Sequence, residues 1–248
     1  MMPPTGDGAA LPAGYRLLRF DGIDSTNSEA LRRIAAGAAA GEVIWARSQS
    51  AGRGRRGNRW TSPAGNLHAT IAAALPANRP AGQLAFVAAM AAGDAIRSVL
   101  PEERSLAYKW PNDLMLDGAK IGGILIEGAE SLFAVGIGIN VARAPAEFAA
   151  TCLADAGATV PVSDLLGRLC HGFERWRGIW AAEGFAPVRE AWLRRAYRLN
   201  APVEARFPDG TSAAGVFRDI DRDGALVLQR EDGSTRSIAT GEVLFAAA

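Results

Sequence analysis

Residues 106–141 read LAYKWPNDLMLDGAKIGGILIEGAESLFAVGIGINV, and four apolar runs can be picked out of them: Leu106–Trp110, Leu114–Leu116, Lys120–Glu127 and Leu132–Val141. Asp117-Gly118 separates the second run from the third, and Gly128 closes the third. Short β-type runs divided by turn residues predict strands joined by hairpins. The stretch is therefore expected to be an antiparallel meander.

Working outward, Leu84, Val87, Ala88, Ala91, Ala95 and Val99 recur at helical spacing and predict a buried helix over about 82–99, ended by Pro101. Tyr15–Phe20, Val43–Arg47 and Leu67–Leu75 predict further strands. A helix is expected from Thr26 to about Gly37, with Glu29 at capping-box spacing from Thr26. Downstream, Leu165, Leu166, Leu169, Phe173, Trp176 and Trp180 predict a packing helix over Ser163–Glu183, and another is expected from near Pro187 to about Tyr197. Beyond residue 200, Pro208-Asp209-Gly210, Asp223-Gly224 and Asp232-Gly233 separate short runs at a spacing that suits a small β-barrel. Without regular βαβ alternation the class is α+β. The expected divisions are a leader over 1–14, a main domain over 15–198 and a small C-terminal domain over 199–248.

A chain of 248 residues with 49% hydrophobic content can bury most of its apolar surface. Its 27 basic and 26 acidic residues leave a net charge of +1, so nothing global favours nucleic acid or an anionic membrane. Any preference for anions must be local. Cys152 and Cys170, with His68 and His171, are too few and too scattered for a zinc cluster, and they fit a reducing, cytoplasmic setting. Met1–Gly14 has no basic n-region, and the apolar stretch Leu84–Ile96 is interrupted by Gly93 and Asp94, so neither secretion nor membrane spanning is expected.

The local positive field lies in Gly52-Arg53-Gly54-Arg55-Arg56-Gly57-Asn58-Arg59-Trp60, inside a stretch from Val43 to Gly93 that holds six arginines and no acid. Glycines let backbone N–H groups approach an anion, and guanidinium forks grip phosphate or carboxylate oxygens at two points. The same segment reads equally as a solvated basic loop. Ser25, Thr26 and Asn27 offer polar groups at a helix start, either for a neutral ligand or simply as a cap. Lys109-Trp110-Pro111-Asn112-Asp113 combines a cation, an amide and a carboxylate in what is otherwise an ordinary turn. Lys120 begins an apolar run, and Gly136-Ile137-Gly138-Ile139-Asn140 suits either a flat ring lying against the backbone or a bulged strand.

Taken in order, STN at 25–27, GRGRRG at 52–57, KWPND at 109–113, KIGGILIE at 120–127 and GIGIN at 136–140 resemble the biotin protein ligase family over roughly residues 15–248. The resemblance implies a mixed-sheet catalytic domain similar to that of class II aminoacyl-tRNA synthetases and a small C-terminal SH3-like β-barrel. It implies ATP-dependent, two-step acyl transfer. Biotin's carboxylate attacks the α-phosphate of ATP to give biotinyl-5′-AMP and diphosphate. A lysine of a biotin carboxyl carrier domain, part of a biotin-dependent carboxylase, then takes the biotin. By motif match the biotin residues would be Ser25, Thr26, Asn27, Gln49, Arg53, Gly54, Arg55, Lys120 and Gly123, with Gly122 beside it. The nucleotide residues would be Arg55, Arg56, Trp60, Lys109, Asn112, Asp113 and Asn140. Lys120, Arg55 and Arg53 would carry the catalysis, and Asn112 with Asp113 would organise the Mg2+ that accompanies ATP. The loop would order over the acyl adenylate and shield it from water.

Two positions depart from the family pattern: Asn58 stands where a basic residue is common, and His68 where tyrosine is frequent. Only about two dozen residues precede Ser25, too few for the DNA-binding domain that some members carry, so no sequence-specific DNA binding is expected. A homodimer is compatible with the resemblance. Two rivals remain at this point: lipoate or octanoate transfer, whose usual Arg-Arg and Ser-Gly-Gly-Gly signature is absent, and an RNA-binding module built on the arginine loop, which Trp60 alone serves poorly.

Overall fold

A computed structural model of the chain describes residues 9–129, 132–146, 149–207 and 209–245. Most of the expected leader, the tip of the hairpin after Gly128 and Pro208 of the 208–210 turn lie outside these residues. In chain order the elements are β1 (Arg16–Ile23), α1 (Thr26–Ala35), β2 (Glu42–Gln49), β3 (Leu67–Ala74), α2 (Leu84–Arg97), β4 (Leu106–Lys109), β5 (Asp113–Leu116), β6 (Ala119–Ala129) and β7 (Leu132–Ile139). Helices α3 (Val162–Glu183) and α4 (Phe185–Leu193) follow, then β8 (Pro202–Arg206), β9 (Ser212–Ile220), β10 (Leu226–Gln229), β11 (Thr235–Ile238) and β12 (Glu242–Phe245).

The first seven strands form one sheet in the order β1-β2-β3-β7-β6-β5-β4. Strands β4 to β7 form the antiparallel meander expected from the sequence. The sheet is mixed because β1 lies parallel to β2 at one edge, a pairing made possible by the crossover helix α1 between them.

Alternation decides what each face carries. On β7, Phe133, Val135, Ile137 and Ile139 point into the main core with α2, α3 and α4, while Ala134 packs with Ala30 and Ile44 beneath α1. Gly136 and Gly138 share the α1 face, so a motif that could mean a bulge is regular strand with its glycines all on one side. Helix α2 packs closely because its side chains are small; a Cβ at its Gly93 would lie 2.1 Å from the Tyr108 hydroxyl.

The structure corrects three local expectations. Gly128 does not end β6 but lies within it at φ +140°, where a Cβ would meet Leu132 O at 2.8 Å. Helix α1 is capped by Ser25, which accepts from Ser28 N, and Glu29 pairs with Arg32 instead of closing a capping box with Thr26. Helix α4 starts at Phe185, which puts Pro187 inside its first turn, and it stops at Leu193. The next residues run beside edge strand β4 instead: Tyr108 N donates to Arg195 O at 2.8 Å and Tyr197 N to Tyr108 O at 2.7 Å. The unpaired backbone of an edge strand competes successfully with the last helical turn.

The C-terminal strands form a five-stranded antiparallel sheet, β11-β10-β9-β8-β12, around Val203, Ala205, Phe217, Leu226 and Leu228, consistent with the expected small barrel. It is seated on the part built around the seven-stranded sheet by polar contacts as well as apolar ones. Trp110 Nε1 donates to Gly224 O at 3.0 Å and Gln83 Nε2 to Arg222 O at 2.8 Å, while Arg189 donates to Ile220 O and pairs with Asp219.

Candidate active site

On the α1 face, strand register sets out two adjacent rows of residues. One row runs Ala46, His68, Gly138, Gly123, Asp113, Lys109 across six strands, and the next runs Ile44, Thr70, Gly136, Leu125. The glycines leave a floor on which side chains lie flat against backbone. An added Cβ at Gly138 would meet the Trp60 ring at 2.5 Å, and one at Gly136 would meet Asn27 Oδ1 at 2.2 Å. The flat ring anticipated over these glycines is, in this structure, the protein's own Trp60. Its Nε1 is buried without a hydrogen-bond partner.

Above this floor is a cavity of about 790 Å3. Ser25, Thr26, Asn27, Gln49, Arg53, Gly54, Arg55, Arg56, Trp60, Lys109, Asn112, Asp113, Lys120 and Gly123 all line it. They come from a helix start, the ends of strands β2, β4, β5 and β6 and the Arg/Gly loop, and the sheet register gathers them in one place. Asn140 and Gly122 are the exceptions. Asn140 is buried with Nδ2 donating to Thr151 O at 3.1 Å, and its backbone N–H bonds Ile121 O at 2.8 Å. It therefore holds the 149–153 loop against β6 and does not face the cavity. Gly122 faces away, where a Cβ would meet Leu114 and Gly138 O.

At the helix start the groups are tightly cross-linked. Thr26 N donates to Gln49 Oε1 at 2.7 Å, and Gln49 Nε2 donates to Ser62 Oγ at 2.7 Å. Thr70 Oγ1 lies 2.8 Å from Thr26 Oγ1 and donates to Asn27 Oδ1 at 2.7 Å. Asn27 Nδ2 donates to Glu127 Oε2 at 3.0 Å, and the other oxygen of Glu127 holds Arg53 Nη2 at 2.5 Å. Ser25, Thr26, Asn27 and Thr70 are all buried, so the polar groups lining this end are held in fixed positions.

At the other end, Lys120 Nζ sits 2.7 Å from Asp113 Oδ1 and 5.6 Å from the centre of the Trp60 ring. Arg55 Nη1 donates to Asn112 Oδ1 at 3.2 Å, and Asn112 Nδ2 donates to Ile124 O at 2.8 Å. Burial and the neighbouring Arg56 guanidinium push the Arg55 pKa below its ordinary value, although a guanidinium stays protonated in proteins. Arg55 is thus a partly desolvated cation whose side-chain hydrogen bond goes to an amide, with the Asp113 and Glu242 carboxylates nearby, and it is well suited to an incoming anion.

His68 is 2% exposed. Its Nε2 lies 3.1 Å from Pro63 O, which fixes the proton on that nitrogen and leaves Nδ1 buried and unpartnered at the cavity wall. Burial lowers the His68 pKa, so the ring is neutral near pH 7.

Sequence reasoning did not single out Thr70, Ser62 or Glu127 as site residues. Glu127 closed a recognised motif, and its place two residues beyond Leu125 on the same strand face as Gly123 was a usable signal. Thr70 gives no signal without the β3–β7 pairing. From the C-terminal part, Glu242 and Phe245 reach the cavity rim, which the turn spacing of that region could not reveal.

The mixed sheet thus carries a cation-lined cavity, with the small antiparallel sheet appended to it. Residues 20–142 match the Biotin/lipoate A/B protein ligase family and residues 199–245 the Biotin protein ligase C terminal domain. The biotin–acetyl-CoA-carboxylase ligase of Paracoccus denitrificans is 42% identical over 246 residues, spanning 90% of this chain and 97% of that protein. The enzyme of the same name from Mycobacterium tuberculosis is 32% identical over 234 residues, spanning 89% and 85%. In fold, the biotin protein ligase of Aquifex aeolicus in complex with biotin and ATP superposes with a TM-score of 0.82 at 23% identity, covering 94% of this chain and 99% of that one. The chain belongs to the biotin protein ligase family.

Proposed function

We infer that the cavity carries out both half-reactions of ATP-dependent biotin protein ligation: formation of biotinyl-5′-AMP with release of diphosphate, then transfer of biotin to a lysine of a carrier protein. The observation that carries this reading is the gathering of a neutral polar end, built from Ser25, Thr26, Asn27 and Gln49, and a cationic end, built from Arg55, Arg56, Lys109 and Lys120, in one cavity. An acid with a polar head would bind at the first and present its carboxylate, with the α-phosphate, at the second. Relatives named as biotin ligases at 42% and 32% identity support the same reading.

In the first step a carboxylate oxygen attacks the α-phosphorus and diphosphate leaves, so charge on the phosphoryl oxygens has to be offset by cations already in place. Lys120, held by Asp113, and the partly buried Arg55 meet that need. In the second step the acceptor amine attacks the acyl carbon and AMP departs, with the same cations facing the leaving phosphate. Trp60 and the Arg/Gly loop exclude water from the mixed anhydride. Asn140, previously expected at the nucleotide, would act there only through the loop it holds.

Mg2+ would enter with the nucleotide. Among the described residues no group of three or more His, Cys, Asp or Glu side chains gathers to hold a metal. Asn112 and Asp113 offer one amide and one carboxylate oxygen pair, the sparse set suited to a Mg2+ held mainly by phosphates and water. We take the acceptor to be the carrier domain of a biotin-dependent carboxylase, as the names of the relatives suggest, and the compartment to be the cytoplasm, where the free, buried Cys152 and Cys170 would stay reduced. Among the described residues no helix is long and apolar enough to cross a membrane. We further propose that the catalytic unit spans 15–198 and the small domain 199–248.

The test is diphosphate exchange into ATP with biotin or lipoate, followed by transfer of labelled biotin to a carrier domain. Exchange with biotin alone is expected. Exchange with lipoate in preference, or with neither acid, overturns the reading.

A further inference from the structure

We propose that Glu127 is a positioning residue that sets the hydrogen-bond polarity of the acid-binding end, making that end accept N–H donors. The inference rests on the biotin-ligase reading of the cavity and assigns specificity to a side chain that does not itself line it.

An ionised carboxylate can only accept hydrogen bonds. Glu127 Oε2 lies 3.0 Å from Asn27 Nδ2, so the amide of Asn27 cannot rotate by half a turn without setting its oxygen against a carboxylate. With the longer 3.4 Å contact from the same Nδ2 to Leu125 O acting in the same sense, its orientation is set with Oδ1 toward Thr70 at 2.7 Å and over the Gly136 floor. Thr70 must then spend its one proton on Asn27. Its contact with Thr26 Oγ1 at 2.8 Å requires the proton of Thr26, since two oxygens that close need one between them. Thr26 Oγ1 is also 3.1 Å from Gln49 Oε1, but its single proton is already committed, and Gln49 Oε1 is served by Thr26 N at 2.7 Å.

The chain Glu127, Asn27, Thr70, Thr26 thus has one direction, and its hydroxyl protons are all used internally. What this chain leaves at the cavity are spare lone pairs on Asn27 Oδ1 and Gln49 Oε1, beside the Ser25 hydroxyl and the second N–H of Gln49, which can meet the carbonyl oxygen of the same head group. A head group with two N–H donors, such as a cyclic urea, fits this surface, whereas an ether or ester oxygen in the same place would meet acceptor against acceptor. Arg53 completes the device by pairing with Glu127 Oε1 at 2.5 Å, which ties the carboxylate to the Arg/Gly loop.

The variant Glu127→Gln preserves shape, removes the charge and loosens the restriction on the Asn27 amide, leaving the 3.4 Å contact with Leu125 O to hold it. It is compared with the parent in diphosphate exchange, using biotin and an analogue in which one ring N–H is replaced by oxygen. The parent is expected to prefer biotin by about 100-fold or more in kcat/KM, the scale on which buried unmatched polar groups discriminate. In Glu127→Gln the KM for biotin should rise about 10-fold, the preference should shrink about 10-fold, and the KM for ATP should stay within twofold. Glu127→Asp, which keeps the charge, should recover part of the preference. In a double-mutant cycle, Asn27→Ala with Glu127→Gln should be no worse for biotin than Asn27→Ala alone. An unchanged preference in Glu127→Gln, or equal rises in both KM values with a fall in Tm, overturns the proposal. A parent enzyme inactive with biotin overturns the functional reading itself.

Discussion

Replacing Gly136 by alanine places a methyl group where Asn27 now lies. The added Cβ would sit 2.2 Å from Asn27 Oδ1, 2.9 Å from its Cγ and 3.2 Å from its Nδ2. The strand cannot yield, because β7 is hydrogen-bonded to β3 on one side and β6 on the other. Asn27 must therefore withdraw by roughly 1 Å to restore ordinary contact in a close-packed interior. That distance breaks both its 2.7 Å bond from Thr70 and its 3.0 Å bond to Glu127. At about 1–3 kcal/mol for each buried group left unsatisfied, the loss is roughly 2–6 kcal/mol. Most of it should appear as weakened binding of the acid, since Asn27 is forced off the floor it shares with the ligand; 2 kcal/mol corresponds to about 30-fold. Calorimetric titration of Gly136→Ala with biotin, alongside thermal melts, measures both parts. Biotin affinity within threefold of the parent, with an unchanged Tm, would refute the packing argument. Gly138→Ala is the matched control: its Cβ meets the Trp60 ring at 2.5 Å, but that ring belongs to a loop that can tip away, so adenylate retention should suffer more than biotin binding.

Lys120→Ala should slow single-turnover adenylation by roughly 10²-fold, the scale of one preorganised donor at a charged transition state; normal rates in a folded variant would remove Lys120 from that role. Arg55→Gly should loosen the loop's 3.2 Å tie to Asn112, so that biotinyl-5′-AMP escapes and labels lysines indiscriminately; release at the parental rate would count against the shield. His68 supplies a pH signature. Burial lowers its folded pKa below the unfolded value of about 6.5, so the unfolded chain binds the extra proton as pH falls. Its contribution is complete above about pH 6.5 and is lost on acidification toward the lowered folded pKa, at up to about 1.4 kcal/mol per pH unit. The carboxylates held below their ordinary values, among them Asp24, Glu42 and Glu174, act only at lower pH. Urea unfolding of His68→Gln between pH 7 and 5 should show a flatter slope than the parent; equal slopes would be the contrary result.

Much of this molecule was legible before any coordinates. Turn residues at Asp117-Gly118, apolar alternation in β6 and β7 and small-residue spacing in α2 are local properties, and local chemistry decides elements of that kind. The resemblance in the quoted motifs carried the reaction class, and all the named residues except Asn140 and Gly122 line one cavity. Tertiary pairing decided the rest. The parallel seat of β1, the capture of residues 195–197 by β4, the stacking of Trp60 on Gly138 and the link from Glu127 to Asn27 each join residues distant in the chain. No periodicity in sequence encodes which residue of one strand stands opposite which residue of another. Asn140 was expected at the nucleotide from the motif resemblance, yet just past the end of β7 its side chain bonds Thr151 O. Amino-acid types set which groups were available for chemistry; cross-strand register set which of them share a face, and hence which can touch the same ligand.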